Sequence, residues 1–226
     1  ITTPIFQAAG IRSLDEALML AECGFNCLGF TLRLNYHNPD TSEAEAKDII
    51  AALPKDVVPV LITYLEDADE LCKFMKYLGV QFVQLHSDIS PTEAARLKQV
   101  FPECKIIKSL VVHEDKFQSI ESTILEFTGI ADYFITDTFD AATGASGATG
   151  KTHDAEISRK AVEISNMPII LAGGLNCENV AQRVKMVRPI GVDVHTGIED
   201  SNGDKTLELS QKFVSEARKG FEEILF

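Results

Sequence analysis

Along the chain, short runs of apolar and β-branched residues alternate with longer segments in which apolar residues return every three or four positions. The runs are Pro4–Ala8, Asn26–Phe30, Val58–Thr63, Phe82–Leu85, Lys105–Val112, Tyr133–Thr136, Pro168–Ala172 and Ile190–Val194. Within each, alternation of polar and apolar residues is weak, as in strands of a parallel sheet covered on both faces. The segments between them begin with helix signals. Ser13-Leu-Asp-Glu16, Ser42-Glu-Ala-Glu45 and Ser90-Pro-Thr-Glu93 each have the S-x-x-E spacing of a capping box, the last with proline at the first helical position. Leu71, Phe74, Met75 and Leu78 fall on one helical stripe, which predicts a face packed on a sheet. Eight alternations of strand and helix, with no linker or break in composition, predict a single (β/α)8 TIM barrel forming one domain over residues 1–226. The competing architecture is an open doubly wound sheet, but its βα turns would need the G-x-G-x-x-G pattern, and that is missing.

Composition narrows the partners. Hydrophobic residues make up 45% and charged residues 24% of the chain, the balance of a globular protein with one large core. A formal net charge of −13 repels nucleic acid and anionic membranes. A small anionic ligand stays possible, because local backbone dipoles can hold it against the overall field. The five cysteines (23, 27, 72, 104 and 177) are scattered, without a C-x-x-C pair, and are expected as reduced thiols. The stretch "ITTPIFQAAG" has neither the basic n-region nor the long apolar stretch of a signal peptide, and a cytoplasmic protein is expected. "GASGATGKT" approaches a nucleotide P-loop but has Ala145 where the first glycine is required, so no nucleotide is expected. The histidines lack H-x-H and H-x-x-x-H spacing, and neither a metal nor a cofactor is expected.

In a barrel of this kind, function gathers at the C-terminal ends of the strands. Three glycine-bearing loops follow the last three predicted strands: "DTFDAATGASGATGKTHD", "AGGLN" and "HTGIED". Glycine lets several backbone N–H groups point at one anion, so Gly173, Gly174 and Gly197, with Thr149 and Gly150 as a third wall, are candidates for a phosphate site. Plain turn glycines are the alternative. Asp137 follows the sixth run, as either a capping group or a general acid. Asp193 is expected as a structural hydrogen-bond acceptor. His86, His113 and His195 end strands, and His37 and His153 lie on loops of the same face; each singly could be an ordinary polar loop residue.

"GIRSLDEAL", "CLGF", "VQLHSD", "ITDT", "GATGKTHD", "PIILAGGLNCENV" and "VRPIGVDVHTGIE" together resemble, in order and over nearly the whole chain, the phosphoribosylanthranilate isomerase family of tryptophan biosynthesis. The resemblance implies a (β/α)8 barrel without cofactor, acting as a monomer or homodimer on a small phosphorylated sugar. The reaction implied is the Amadori rearrangement of N-(5-phosphoribosyl)anthranilate to its 1-deoxyribulose 5-phosphate derivative. By this likeness Asp137 is the general acid, and Thr149, Gly150, Gly173, Gly174 and Gly197 hold the phosphate, while Arg33 and His86 are candidates for binding the rest of the substrate. The sequence also departs from the family. The first strand usually reads Lys-Ile-Cys-Gly-Ile, its cysteine being the base; here it is Gln7-Ala8-Ala9-Gly10-Ile11, and Ala9 stands at the cysteine position. The second loop usually carries Ser-Pro-Arg for the anthranilate carboxylate, whereas Arg33 lies a few residues early in "TLRLNYHNPDTS". His195 replaces a small residue after "VDV". The first and last strands of a closed barrel are neighbours, so His195 could reach over Ala9 as a substitute base, or merely line the phosphate loop. The implied alternatives are a phosphosugar isomerase with another aglycone, and an inactive phosphosugar-binding paralogue.

Overall fold

A computed structural model of the chain describes residues 3–34, 38–112, 117–140, 145–146 and 155–224. Nine strands and eight helices occur among them: β1 (Ile5–Ala9), α1 (Leu14–Cys23), β2 (Cys27–Thr31), α2 (Glu43–Ala52), β3 (Val58–Thr63), α3 (Ala68–Leu78), β4 (Phe82–Leu85), α4 (Pro91–Val100), β5 (Lys105–Val112), α5 (Phe117–Phe127), β6 (Tyr133–Asp140), β7 (Ala145–Ser146), α6 (Ala155–Ile164), β8 (Ile169–Leu171), α7 (Val180–Val187), β9 (Gly191–Val194) and α8 (Leu207–Ile224). Eight strands pair in parallel, and the pairing of β1 with β9 closes them into a barrel. β7 is a two-residue antiparallel strand on the extended end of β6, outside the ring. The apolar run in the sequence ends at Thr136, but Thr138 and Phe139 suit an extended backbone, and the strand runs on to Asp140. Asp137 therefore lies within the strand.

Strand parity divides the core in two. Phe6, Ala8, Leu28, Leu61, Val83, Ile106, Phe134, Val192 and Val194 face outward into one cluster with the helices, joined there by the predicted stripe Leu71, Phe74, Met75 and Leu78. Ala9, Cys27, Val60, Ile62, Ile107, Ile135, Ile170 and Ala172 face inward and fill the barrel. Residues two positions further along several strands continue this inner face toward the C-terminal mouth, where it turns polar.

Of the three expected capping boxes, only Ser42 and Glu45 are reciprocal. Ser13 and Ser90 accept the amide N–H of Glu16 and Glu93, but the carboxylates of those residues go elsewhere. Glu16 accepts from the Arg12 backbone and side chain. Glu93 accepts from the Ala68 amide at the start of α3. The Glu16 carboxylate is taken by the residue just before its N-cap, while the tertiary Glu93 bond locks two neighbouring helix starts together.

Candidate active site

The inner face of β4 and β6 carries the polar centre of the mouth. Asp137 is 4% exposed. Its Oδ2 lies 3.1 Å from Nδ1 of His86, the residue following β4. His86 is held from several sides. Its amide donates to Thr63 at the end of β3, its ring stacks on Tyr64 at 5.8 Å, and its Nε2 lies 2.6 Å from the amide nitrogen of Gln84. The Gln7 side chain in turn donates to Gln84 Oε1 at 2.8 Å. Beside Gln7, in register on β9, is Asp193. Burial pushes its carboxyl up to about 6; the Gln7 amide and the charge of Lys205 oppose the rise, and the charge of Asp137 adds to it. Behind His86, the buried Lys108 ammonium takes the carbonyls of Ser87, Ser109 and Leu85 at 3.0, 3.3 and 3.5 Å. Two of those carbonyls flank His86 in sequence, so the loop bearing the imidazole is fixed by a cation. Burial lowers the Lys108 pKa to about 8.

At the end of β1, Ala9 is 6% exposed and presents only a methyl group to the interior. Gly10 follows with a φ of 75°. The imidazole of His195 lies on it: a Cβ built on Gly10 would sit 2.2 Å from His195 Nε2. The glycine thus makes the room that the ring occupies, one residue past the vacant base position. Nε2 is 3.7 Å from Glu199 Oε1. Lys205, its side chain 1% exposed, bonds both Glu199 (3.1 Å) and the Gly10 carbonyl (2.9 Å), which ties the loop after β9 to the end of β1. Burial, helped by the Lys205 charge, lowers the His195 pKa, with Asp40, Glu199 and Glu16 opposing. The ring is therefore a neutral imidazole near pH 7.

Two of the three glycine loops meet. Gly173 and Gly174 follow β8 with φ of 103° and 61°, and Gly197 lies in the 3-10 turn Thr196–Ile198 after β9. A Cβ on Gly197 would lie 1.9 Å from the Leu175 carbonyl oxygen, a contact with backbone that cannot swing away. Thr136 donates to the Ala172 carbonyl and accepts from its amide, which fixes the start of the Gly173 loop to β6. Gly197→Ala is therefore expected to force the two loops apart, lowering the midpoint of thermal unfolding and weakening inorganic phosphate binding together; calorimetry and phosphate titration check both. Thr149, Gly150, His37, His113 and His153 lie outside the described residues.

Arg33 is committed elsewhere than expected. Its guanidinium makes a two-point pair with Glu43, bonds Glu70 at 2.9 Å, and lies 3.8 Å from the centroid of Phe74. A substrate carboxylate would have to displace two carboxylates to reach it. Cys177 donates to the Leu209 carbonyl and serves packing. The residues that sequence reasoning passed over are Gln7, Gln84, Glu199 and Lys205. For the two glutamines a signal existed: each is a polar residue inside an otherwise apolar strand run, at the parity of Ala9 and of His86.

The family model described as "N-(5'phosphoribosyl)anthranilate (PRA) isomerase" matches residues 30–216, so the match begins after β1 with its altered residues. N-(5'-phosphoribosyl)anthranilate isomerase 2 of Methanosarcina mazei is 36% identical over 222 residues, covering 95% of this chain and 94% of that protein. The phosphoribosyl anthranilate isomerase of Thermotoga maritima superposes with a TM-score of 0.80 at 25% identity, covering 95% of this chain and 98% of that one. A further isomerase structure, solved in complex with reduced 1-(o-carboxyphenylamino)-1-deoxyribulose 5-phosphate, shares the fold with a TM-score of 0.79 at 22% identity, over 96% of this chain and 99% of that one. A barrel of this topology, matched along most of its length at these levels, belongs to the N-(5'-phosphoribosyl)anthranilate isomerase family.

Proposed function

We propose that the chain isomerises N-(5'-phosphoribosyl)anthranilate by an Amadori rearrangement, with Asp137 as general acid and His195 as base in place of the missing cysteine. Asp137 gives a proton to the ring oxygen as the C1–O bond breaks, leaving an iminium. The neutral His195 imidazole takes the proton from C2, the iminium collapses to an enolamine, and tautomerisation yields the ketone. Gly173, Gly174 and Gly197 hold the phosphate, with Thr149 and Gly150 assigned to the same cradle. The observation that carries the reading is the buried Asp137 carboxyl paired with His86 on the inner face of β6, in a chain of this family. The test is incubation with freshly made substrate while the loss of anthranilate fluorescence is followed. Turnover above the buffer rate that disappears in Asp137→Asn supports the proposal; a rate equal to buffer ends it.

The commitment of Arg33 to Glu43 and Glu70 favours a second reading, in which the same cradle serves a phosphosugar with an aglycone other than anthranilate. Thermal shift separates the two. If anthranilate-bearing analogues stabilise the protein more than inorganic phosphate does, the first reading stands; equal stabilisation favours the second.

A further inference from the structure

The interior of the mouth contains two acceptors with nothing to accept. Gln7 Oε1 and Asp193 Oδ1 are buried, and neither has a hydrogen-bond partner among the described residues. They belong to residues in register on adjacent strands, Gln7 on β1 and Asp193 on β9, both on the inner face. One proton on Asp193 satisfies both, whereas an ionised Asp193 leaves two acceptors facing each other in the core, a costly arrangement.

The Gln7 amide N–H goes to Gln84 Oε1. That bond fixes the Gln84 amide so that its nitrogen faces His86 Nε2. An amide nitrogen donates and does not accept, so His86 Nε2 must be the unprotonated ring nitrogen and Nδ1 must carry the hydrogen that points at Asp137. We infer that Gln7 and Gln84 are positioning residues which fix His86 as the Nδ1–H tautomer donating to Asp137, and that Asp193, when protonated, donates to the Gln7 amide oxygen. Every hydrogen bond in the chain then runs one way, from the Asp193 hydroxyl through both amides and the imidazole to Asp137. The groups facing Asp193 are Gln7 on β1, the Cys27 thiol on β2, His86, Asp137 and the Lys205 ammonium.

The inference uses the reading of Asp137 as the acid for its kinetic consequence, but its primary test needs no turnover. Nitrogen-15 NMR of the full chain is expected to show the His86 ring hydrogen on Nδ1, and carbon-13 NMR is expected to show the Asp193 carboxyl titrating at about 6. Gln84→Met is expected to abolish the single tautomer and lower kcat about tenfold, with KM changed less than about twofold. Asp193→Asn, whose amide can donate to the Gln7 oxygen, is expected to keep the tautomer. Because the native acid keeps a proton that the unfolded chain has lost, wild-type stability should fall as pH rises from about 4 to the native midpoint, and Asp193→Asn should remove that fall. Hydrogen on His86 Nε2, an Asp193 that titrates at the ordinary aspartate value of about 4, or a tautomer indifferent to Gln84→Met overturns the inference. The expected spectra from a protein without turnover would instead leave the inference standing and remove the isomerase reading.

Discussion

Asp137→Asn is expected to lower kcat by about 10²–10⁴-fold, equivalent to about 3–5 kcal/mol of barrier, while KM stays within about threefold. The size follows from the role. Asparagine has nearly the shape of aspartic acid and its amide oxygen can still accept from His86 Nδ1, but it has no proton to release to a leaving ring oxygen. Because the shape is kept, the unfolding midpoint should move little, which separates loss of chemistry from loss of fold. Stopped-flow fluorescence with fresh substrate, alongside calorimetry of the same preparation, measures both. A variant retaining more than about a tenth of the wild-type rate would remove Asp137 from the acid's role.

The second large effect concerns the base. His195→Gln keeps a side chain of similar size over Gly10 but has no titratable nitrogen, and kcat is expected to fall about 10²-fold or more. Adding Ala9→Cys to that variant places a thiol where the family carries its base, and is expected to restore at least about tenfold of the loss. The pH profile distinguishes the two bases. Burial lowers the His195 pKa, so the wild-type acid limb of kcat/KM should lie below the ordinary imidazole value of about 6.5, the ring staying neutral and basic down to that point. In the cysteine-bearing double variant, the limb should move upward toward thiol titration. Unchanged turnover in His195→Gln would mean that the proton leaves C2 by another route.

The barrel was readable from the sequence because its signal is local. Apolar runs, S-x-x-E starts and one helical stripe fix eight units without knowledge of which strands meet. The positions of Asp137, His86 and the glycine loops followed from the same units, since strand ends share one face of the barrel. What escaped depends on contacts between distant segments. The commitment of Arg33 is made by Glu43 and Glu70, up to 37 residues away. The Gln7–Gln84 bond spans 77 residues, and the Lys205–Gly10 bond spans 195. The apolar run ends at Thr136 while β6 runs on to Asp140, because polar residues at the start of the glycine-bearing loop still take extended backbone. The alanine at position 9 gives a different lesson. The sequence exposes the missing base at once, but only the imidazole lying on Gly10 shows what fills the space beside it.

The central claim is that the glycine amides after β8 and β9 grip a phosphate and hold the sugar against Asp137. A crystal structure with the reduced product analogue bound tests it most directly. The account predicts phosphate oxygens accepting from the N–H groups of Gly173, Gly174 and Gly197, with a sugar oxygen within hydrogen-bond distance, about 3 Å, of the Asp137 carboxyl. A phosphate seated away from those amides, or an Asp137 carboxyl out of reach of every sugar oxygen, would contradict it.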